Sequence, residues 1–291
     1  TGNSSYNSGD GSNQNIVSGI DLSGEGGMVW TKLRDDDVRH SVVDTERGAT
    51  KMLSVSETGA EASTSDSTIS FNSNGHTLGV DNGFQRVNFK GSAPYNYVSW
   101  TFRKAEKFFD IVTYTGNATA RTIAHNLGST PGMIIVKRLN GAKNWAVYHT
   151  SMGANYWDIL NVGQEKQVNT NLWNNTAPTD SVFSVGTDGH NNGNNDTYVA
   201  YLFASDAGGY GDDGDENIIK CGTFNTGAGS VNLGFEPQWL LLKKTSGNHP
   251  WYLVDNMRAL SATPSPTDTL FANIDNAESD GNGTVFITAT G

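Results

Sequence analysis

Clustered carboxylates are the first residues of this sequence that could bind a metal ion. Asp35, Asp36 and Asp37 form an acidic triplet, and a second acidic stretch covers residues 212–217. Oxygen-rich clusters suit a hard cation such as calcium, but neither stretch has the ligand spacing of an EF-hand loop. We therefore predict a solvated hairpin loop at the triplet and a flexible acidic linker at 212–217, with no metal site.

The histidines and the cysteine offer no better pattern for metal binding or catalysis. No two histidines have the spacing that places both on one strand or helix face, and one cysteine cannot form an intrachain disulfide. The sequence has no Gly-x-Ser-x-Gly elbow, phosphate loop or dinucleotide fingerprint, and nothing singles out a carboxylate pair for glycoside hydrolysis. We predict neither an enzyme nor a cofactor. The residues concerned are His40, His76, His125, His149, His190, His249 and Cys221.

Two Asp–Arg pairs recur in the sequence with the same internal separation. Asp44 and Arg47 correspond to Asp255 and Arg258. A carboxylate three residues from a guanidinium can form a charge-assisted hydrogen bond that stabilises the turn after a strand. Contact with a sugar or a ligand carboxylate is the functional alternative. Because one structural cause explains both copies, we predict two structural ion pairs.

The tryptophans divide into two groups. An indole ring serves either as a core residue or as a platform on which a sugar stacks. Trp157 and Trp173 lie in the less regular region 153–180, so we predict that these two side chains make surface contacts. The others fall in repeated strand-like phrases, where core packing is expected, and are Trp30, Trp100, Trp145, Trp239 and Trp251.

A strand-like segment that occurs three times in the sequence is expected to position these residues. Its clearest version, Gly-Met-Ile-Ile-Val-Lys at 132–137, matches residues 27–32 and 238–243, at distances of 105 and 106 residues. In each copy a second strand-like phrase begins eight residues after the lysine. This period exceeds the roughly 20–50 residues of solenoid repeats, so each copy is expected to be a domain in its own right.

Composition favours an all-β fold of tandem antiparallel β-sandwich modules. The chain has 34 glycines and 17% charged residues, and short β-branched and aromatic runs alternate with turn residues. We expect a polar arm or linker at 1–14, β-sandwich modules at 15–105 and 106–205, a Gly-rich acidic linker at 206–216, and a third module at 217–291.

The third module is predicted to lack its closing strand. Residues 218–224 correspond to an opening strand of the second module, and the last apolar run is 285–287. The closing strand at 97–102 in the first module and 198–203 in the second has no third counterpart in the sequence. We expect either a longer polypeptide or a strand donated by a neighbouring subunit.

The charge balance excludes some partners. Lys and Arg number 19 against 30 Asp and Glu, a formal net charge of −11, whereas a nucleic-acid surface needs a positive track along the phosphates. No stretch approaches the roughly 18 consecutive apolar residues that span a membrane. We predict no nucleic-acid partner and no membrane insertion.

The repeated phrases resemble a module of tailed-phage virion proteins, common in marine phages and cyanophages. There the module occurs in tandem within large tail-fibre and related structural proteins. The resemblance covers roughly residues 15 to 291, and it implies a virion location and a structural or adhesive role without catalysis. It is carried by residues 109–117, 124–128, 131–137, 144–149 and 198–203 of the second copy, 233–239 of the third and 26–30 of the first.

Two functions follow as expectations. The leading one is a tail-fibre segment that serves host-surface attachment, with a host-surface glycan as a partner. The alternative is an architectural or decoration protein of the capsid or tail without receptor binding. Homo-oligomer formation and contact with other virion proteins are expected of both. Exposure of Trp157 and Trp173 in a sugar-sized groove would favour attachment, and their burial in subunit interfaces would favour architecture. An enzyme that degrades host polysaccharide is the least supported reading.

Overall fold

The computed structural model describes residues 2–9, 11–65, 67–81, 87–89, 95–225, 230–258 and 268–279. Every regular element in these ranges is a strand, which confirms the all-β class. Over the same ranges there is no helix long and apolar enough to cross a membrane.

The first module contains β1 (Gly2–Ser8), β2 (Gln14–Val17), β3 (Gly27–Leu33), β4 (Ser41–Asp44), β5 (Lys51–Ser54), β6 (Ala62–Ser63), β7 (Thr68–Asn72), β8 (Gly75–Leu78) and β9 (Asn96–Arg103). The second contains β10 (Phe109–Thr115), β11 (Arg121–Ala124), β12 (Pro131–Arg138), β13 (Ala146–His149), β14 (Tyr156–Ile159), β15 (Gln167–Val168), β16 (Val182–Val185) and β17 (Thr197–Ala204). The third contains β18 (Trp239–Lys243), β19 (Trp251–Asp255) and β20 (Leu270–Phe271).

The first two modules share one sheet topology. Their six-stranded antiparallel sheets have the orders β1-β9-β3-β4-β5-β6 and β10-β17-β12-β13-β14-β15. We call β3, β12 and β18 the organising strands, β9 and β17 the closing strands, and β1 and β10 the opening strands. Each closing strand lies between the opening and the organising strand of its module. The third sheet, as far as the structure describes it, is β18-β19-β20.

A second layer covers one face of each six-stranded sheet and gives both modules a sandwich-like form. This layer is β2-β8-β7 in the first module and β11-β16 in the second. Ile123 of β11 packs in one apolar cluster with Ile134 of the organising strand. In the first module, Phe71 of β7 packs against the cluster that contains Val29. In each of the first two modules, side chains of the six-stranded sheet and of the second layer therefore pack together, as in a β-sandwich.

The organising strands β3 and β12 are buried on both faces. Successive side chains of a strand point to opposite sides of the sheet. On β12, Ile134 and Val136 face the second layer, whereas Met133 and Ile135 belong to a different cluster. A strand covered on both sides is expected to be apolar throughout, which explains the continuous apolar phrase in the sequence.

The cluster that contains Met133 and Ile135 includes residues of all three modules, and we call it the common core. It contains Trp30 of the first, Trp145 of the second, and Trp251 and Leu253 of the third, all buried. The first and second modules also have apolar clusters of their own, and the shared cluster packs the inner faces of the three sheets against one another. The exact module boundaries stay a prediction.

The polar start of the chain forms a strand, although its sequence predicted an arm or linker. β1 pairs antiparallel with β9 along its whole length and occupies the place that β10 has in the second module. Sequence reasoning missed it because β1 is an edge strand. Only Ser5 on it is buried, at 7% exposure, so the strand needs few apolar residues.

The opening strand predicted at 218–224 does not form. These residues adopt no regular structure, and Phe224 is 56% exposed. In the other modules the opening strand pairs with the closing strand, and no described residue supplies that strand in the third module. The predicted apolar run at 285–287 lies outside the described residues.

Candidate functional site: polar contacts between the modules

Buried polar side chains join the first and second modules at the end of β4. Asp44 Oδ2 accepts hydrogen bonds from Arg47 Nε at 2.6 Å and from the Tyr201 hydroxyl of β17 at 2.7 Å. Arg47 Nη1 also lies 3.1 Å from Glu61 Oε2. The predicted Asp44–Arg47 ion pair is thus present, and it is extended into a network that reaches the neighbouring module.

The hydroxyl of Tyr201 acts as a hydrogen-bond donor in this network. Burial raises the pKa of Tyr201 well above its usual value, Asp44 acts in the same direction, and Arg47 opposes it. The hydroxyl therefore stays protonated near neutral pH and donates to the carboxylate.

The same arrangement joins the third and first modules. Asp255 Oδ2 accepts hydrogen bonds from Arg258 Nε and from Trp100 Nε1 of β9, both at 2.8 Å. Arg258 Nη1 lies 2.7 Å from Glu278 Oε1, and the guanidinium lies over the Trp100 ring at 5.4 Å from its centroid. The second predicted ion pair is therefore also present, with an indole N–H in place of the tyrosine hydroxyl.

The second module has different residues at the repeat positions of these pairs. His149 stands at the position of the two aspartates, and Met152 at that of the arginines. His149 Nδ1 accepts a hydrogen bond from Ser151 N at 3.2 Å, and burial lowers its pKa. A neutral imidazole thus stands at the repeat position that an ion pair occupies in the other two modules.

Indole N–H groups make a second set of contacts between modules. Trp145 Nε1 donates to the Ser54 carbonyl of the first module, and Trp251 Nε1 donates to the Ile159 carbonyl of the second, each at 3.0 Å. The corresponding residue of the first module is His40, whose pKa burial lowers well below its usual value. All three side chains are buried at the module junctions and neutral.

The lysines that end the organising strands bind main-chain carbonyls. Lys137 Nζ donates to Thr58 O in the first module at 3.1 Å and to Arg138 O at 2.8 Å. Lys243 Nζ lies 3.5 Å from Gly163 O in the second module. Burial lowers the pKa of Lys137 to about 8. These ammonium groups are engaged with neighbouring loops and are not presented to a ligand.

Three of these side-chain contacts link the modules in a ring. The second module donates to the first, the third to the second, and the first to the third. Arg34 Nε to Glu278 Oε2 at 2.9 Å and Ala277 N to Asp37 Oδ1 at 2.8 Å close the ring. Three repeats of one chain therefore have a cyclic arrangement like that of three subunits in a symmetric oligomer.

The acidic triplet contributes to this ring and to its own hairpin. Asp35 Oδ2 accepts a hydrogen bond from Asn96 N at 2.6 Å, and Asp37 is the acceptor for Ala277. Among the residues that the structure describes, no group of three or more His, Cys, Asp and Glu side chains is arranged to hold a metal ion. Asp35 and Asp37 are nevertheless exposed, as predicted for a solvated hairpin loop.

Trp157 and Trp173 lie in the core, contrary to the predicted surface role. Their exposures are 7% and 1%. Trp157 packs on the His190 ring at 4.8 Å between centroids, and Trp173 packs on Tyr148 at 5.7 Å. The irregular region 153–180 contributes to the outer cluster of the second module. Neither indole offers a free face on which a sugar could stack.

Two spaces beside the modules differ in what they could hold. A cavity of about 10 Å³ between the first and second modules is lined by apolar side chains such as Met28 and Ile135, and it has room for one water at most. An open groove of about 470 Å³ lies along β1 and β2, with Tyr6, Asn7 and Gln14 in its lining. Of these two spaces, the groove is the one of ligand size.

Sequence comparison between repeats missed several members of the two networks. Glu61 and Glu278 follow their arginines by 14 and 20 residues, so a comparison without gaps does not align them. Trp100 and Tyr201 are equivalent in the closing strands, but different residue types concealed their shared role as donors. A comparison of the repeats that marks which side chains can donate a hydrogen bond would have identified Trp100 and Tyr201 as equivalent.

Residues 2–291 match the family model described as "Domain of unknown function (DUF7483)". The match covers almost the whole chain, so the protein belongs to this family. None of the curated proteins and none of the solved structures matches the chain. The family unit spans all three modules, in agreement with their common core.

Proposed function

We propose that this member of the DUF7483 family is a structural protein of a phage virion, and that it forms a tail-fibre segment for attachment to the host surface. The repeated phrases support this proposal, because they resemble tandem modules of tailed-phage fibre proteins. The observation that carries it is the common core. Three repeats are packed as one unit, and buried charges join modules rather than line a pocket. A segment that holds a fixed geometry between a particle and a surface requires such a unit.

A second candidate is an architectural or decoration protein of the capsid or tail that binds no receptor. Trp157 and Trp173 are buried inside their own module, which removes the best sequence candidates for glycan contact from the first proposal. Homo-oligomer formation and contact with other virion proteins belong to both proposals. A glycan partner belongs to the first alone and needs a surface other than these two side chains.

Immunogold electron microscopy of virions distinguishes the two roles. Antibodies are raised against the complete recombinant chain, since the modules share a core. Labelling of fibres or their tips is the expected result for attachment, and labelling of the capsid or tail tube would replace it with the architectural role. Competition by free recombinant protein is the control. Absence of the protein from purified particles, checked by mass spectrometry, would reject both.

A further inference from the structure

The groove along β1 and β2 lies where β1 carries small polar residues in place of the larger residues of its counterpart. The pairing registers with the closing strands put Ser4 at the position of Ile111 and Asn7 at that of Tyr114. Ile111 is buried in the common core, and the Tyr114 ring stacks on Tyr198. Both six-stranded sheets have the same topology, so the fold does not require the polar side chains of β1.

The polar side chains of the groove have hydrogen-bonding groups to spare. Asn15 Oδ1 accepts a hydrogen bond from the Thr77 hydroxyl at 2.7 Å, whereas Asn15 Nδ2 has no partner among the described residues. In the same part of the chain, the hydroxyls of Ser4 and Tyr6 have no partner either. Hydroxyl groups both donate and accept, and an amide NH2 group donates twice. A ligand rich in hydroxyl groups can pair with each of them.

Apolar side chains border the same space. Val17, Met257 and Tyr6 are 68%, 48% and 36% exposed, and all three line the groove. The guanidinium of Arg34 lies over the Tyr6 ring at 4.9 Å from its centroid and holds the ring in place. Exposed apolar side chains beside polar groups are typical of a binding site. A sugar has the matching surface, with C–H groups on the ring faces and hydroxyls around the rim.

Charge and size narrow the class of ligand. The protein has a formal net charge of −11, yet none of the described residues that line the groove is charged. An ionic ligand would find no opposite charge there. The volume of about 470 Å³ falls within the roughly 300–1,000 Å³ of small-molecule sites. A protein partner of standard size would need about 20–30 contacting residues on this side, far more than line the groove.

We infer that this groove is a binding site for a short neutral oligosaccharide. The C–H faces of the sugars lie against Val17 and Met257, and their hydroxyls bond to Ser4, Tyr6 and Asn15. This inference rests on the proposed attachment role, and it gives that role the glycan-binding surface that the two buried indoles do not supply.

Methionine methyl groups report on binding in the complete chain. Of the five methionines, Met257 is exposed at the groove, whereas Met28, Met52 and Met133 are buried. The protein is labelled with ¹³C at the methionine methyls, and Met257→Leu assigns the groove signal. Neutral trisaccharides of glucose, galactose, mannose and N-acetylglucosamine are titrated in. At least one is expected to shift the Met257 signal in a saturable way and to leave the buried methyls unchanged. Trigalacturonic acid, a charged trisaccharide, should cause no shift.

A variant that fills the groove locates the sugar. Ser4→Ile combined with Asn7→Tyr gives β1 the residues that β10 has at these positions. Because the second module folds with them, the variant should fold and should bind the active trisaccharide roughly tenfold or more weakly. Ser8→Thr also copies β10 but lies outside the groove lining, at an exposed position, and should leave binding unchanged. Circular dichroism checks both folds.

A single hydroxyl gives a second, milder test. Tyr6→Phe removes one hydrogen-bonding group from the groove and keeps the ring under Arg34. Binding should weaken roughly three- to tenfold. Tyr252→Phe, at a half-buried tyrosine outside the groove lining, is the matched control. This pair decides if the groove-filling variant does not fold.

Several results would overturn the inference. One is a Met257 signal that no neutral trisaccharide shifts, and another is equal binding by the groove-filling variant. If a water-soluble paramagnetic agent does not broaden the Met257 signal, the chain itself covers the groove. A shift that depends on protein concentration alone would assign the groove to a second copy of this chain.

The two proposals can fail separately. Immunogold label on fibres without any saccharide-induced shift would reject the groove and leave the attachment role standing. Saccharide binding in the groove by a protein that labels the capsid would reject attachment and keep the binding site.

Discussion

The two buried Asp–Arg pairs of this protein join modules, and each is stable only while its hydrogen-bond partners remain. Asp44 has Arg47 on one side and Tyr201 on the other. If one donor is removed, the carboxylate stays buried with an unsatisfied lone pair. The loss is therefore expected to exceed the net contribution of an ordinary hydrogen bond.

Tyr201→Phe removes one donor and changes little else. We expect the free energy of unfolding to fall by roughly 1–3 kcal/mol, because Asp44 Oδ2 keeps only its contact with Arg47. Urea denaturation followed by tryptophan fluorescence measures this loss. Tyr252→Phe is the control, since Tyr252 is half-buried and packs on Phe271 by its ring. Equal losses in the two variants would contradict a special role for the contact between modules.

Asp158 of β14 is a buried carboxylate without a comparable network. It is 1% exposed, and within the described residues its Oδ2 has no hydrogen-bond partner. Burial raises its pKa from 3.8 to about 6, although Ile159 N and Lys243 act in the opposite direction. Between these two values the folded protein holds more protons than the unfolded chain. The contribution of Asp158 to stability therefore falls as pH rises through this window.

Asp158→Asn is expected to stabilise the protein above that window. At pH 8 the variant should unfold with a free energy higher by roughly 1–3 kcal/mol, because no charge is buried. Below about pH 3 the difference should vanish, since Asp158 is then largely protonated in both states. Denaturation at both pH values measures the effect, and exposed Asp180→Asn is the control. A gain of the same size at both pH values would show that charge is not its cause.

Recurrence made some of these residues predictable. The Asp–Arg pairs repeat at a fixed distance from a repeated strand, so one physical cause was visible twice. Trp157 and Trp173 occur outside the repeated phrases, and their burial depends on how region 153–180 folds over the sheet. That tertiary packing has no local sequence signal.

At the level of elements, the organising strands β3 and β12 could be predicted because burial on both faces leaves an apolar run. β1 could not, because an edge strand with one buried side chain resembles a linker in composition. Its strand conformation depends on β9, which follows it by about 90 residues in the chain. The prediction of a strand at 218–224 was wrong for the opposite reason. The sequence suits a strand, but no described closing strand lies beside it to pair with.

Deletion of residues 2–9 tests whether β1 is structural. The deletion uncovers the outer edge of β9, so amide exchange in β9 should accelerate and the midpoint of thermal unfolding should fall by several degrees. Replacement of the same residues by a Gly-Ser segment should have a similar effect, since such a segment behaves as a flexible coil. An unchanged exchange rate in β9 would support the linker that composition predicted.

At the scale of the whole molecule, the repeat period correctly marked three copies of one phrase but did not show how they pack. A period near 105 residues is long enough for a separate core in each copy. The structure has clusters inside the first and second modules and, in addition, a shared cluster in which the inner face of each sheet covers the others. Sequence periodicity cannot distinguish these arrangements, because a strand buried against its own module and one buried against a neighbour are both apolar.

The common core predicts that the modules depend on one another for stability. A fragment of residues 106–205 would expose the inner face that carries Trp145 and Tyr201, both 1% exposed in the complete chain. We expect this fragment to bind a hydrophobic dye and to unfold at a lower urea concentration than the same residues in the full chain. The full chain should unfold in a single transition, because the loss of one module uncovers the other two. Pulsed hydrogen exchange along the urea titration follows each module separately. Separate transitions, together with a fragment as stable as the module in the full chain, would mean that the modules are independent domains whose contacts contribute little.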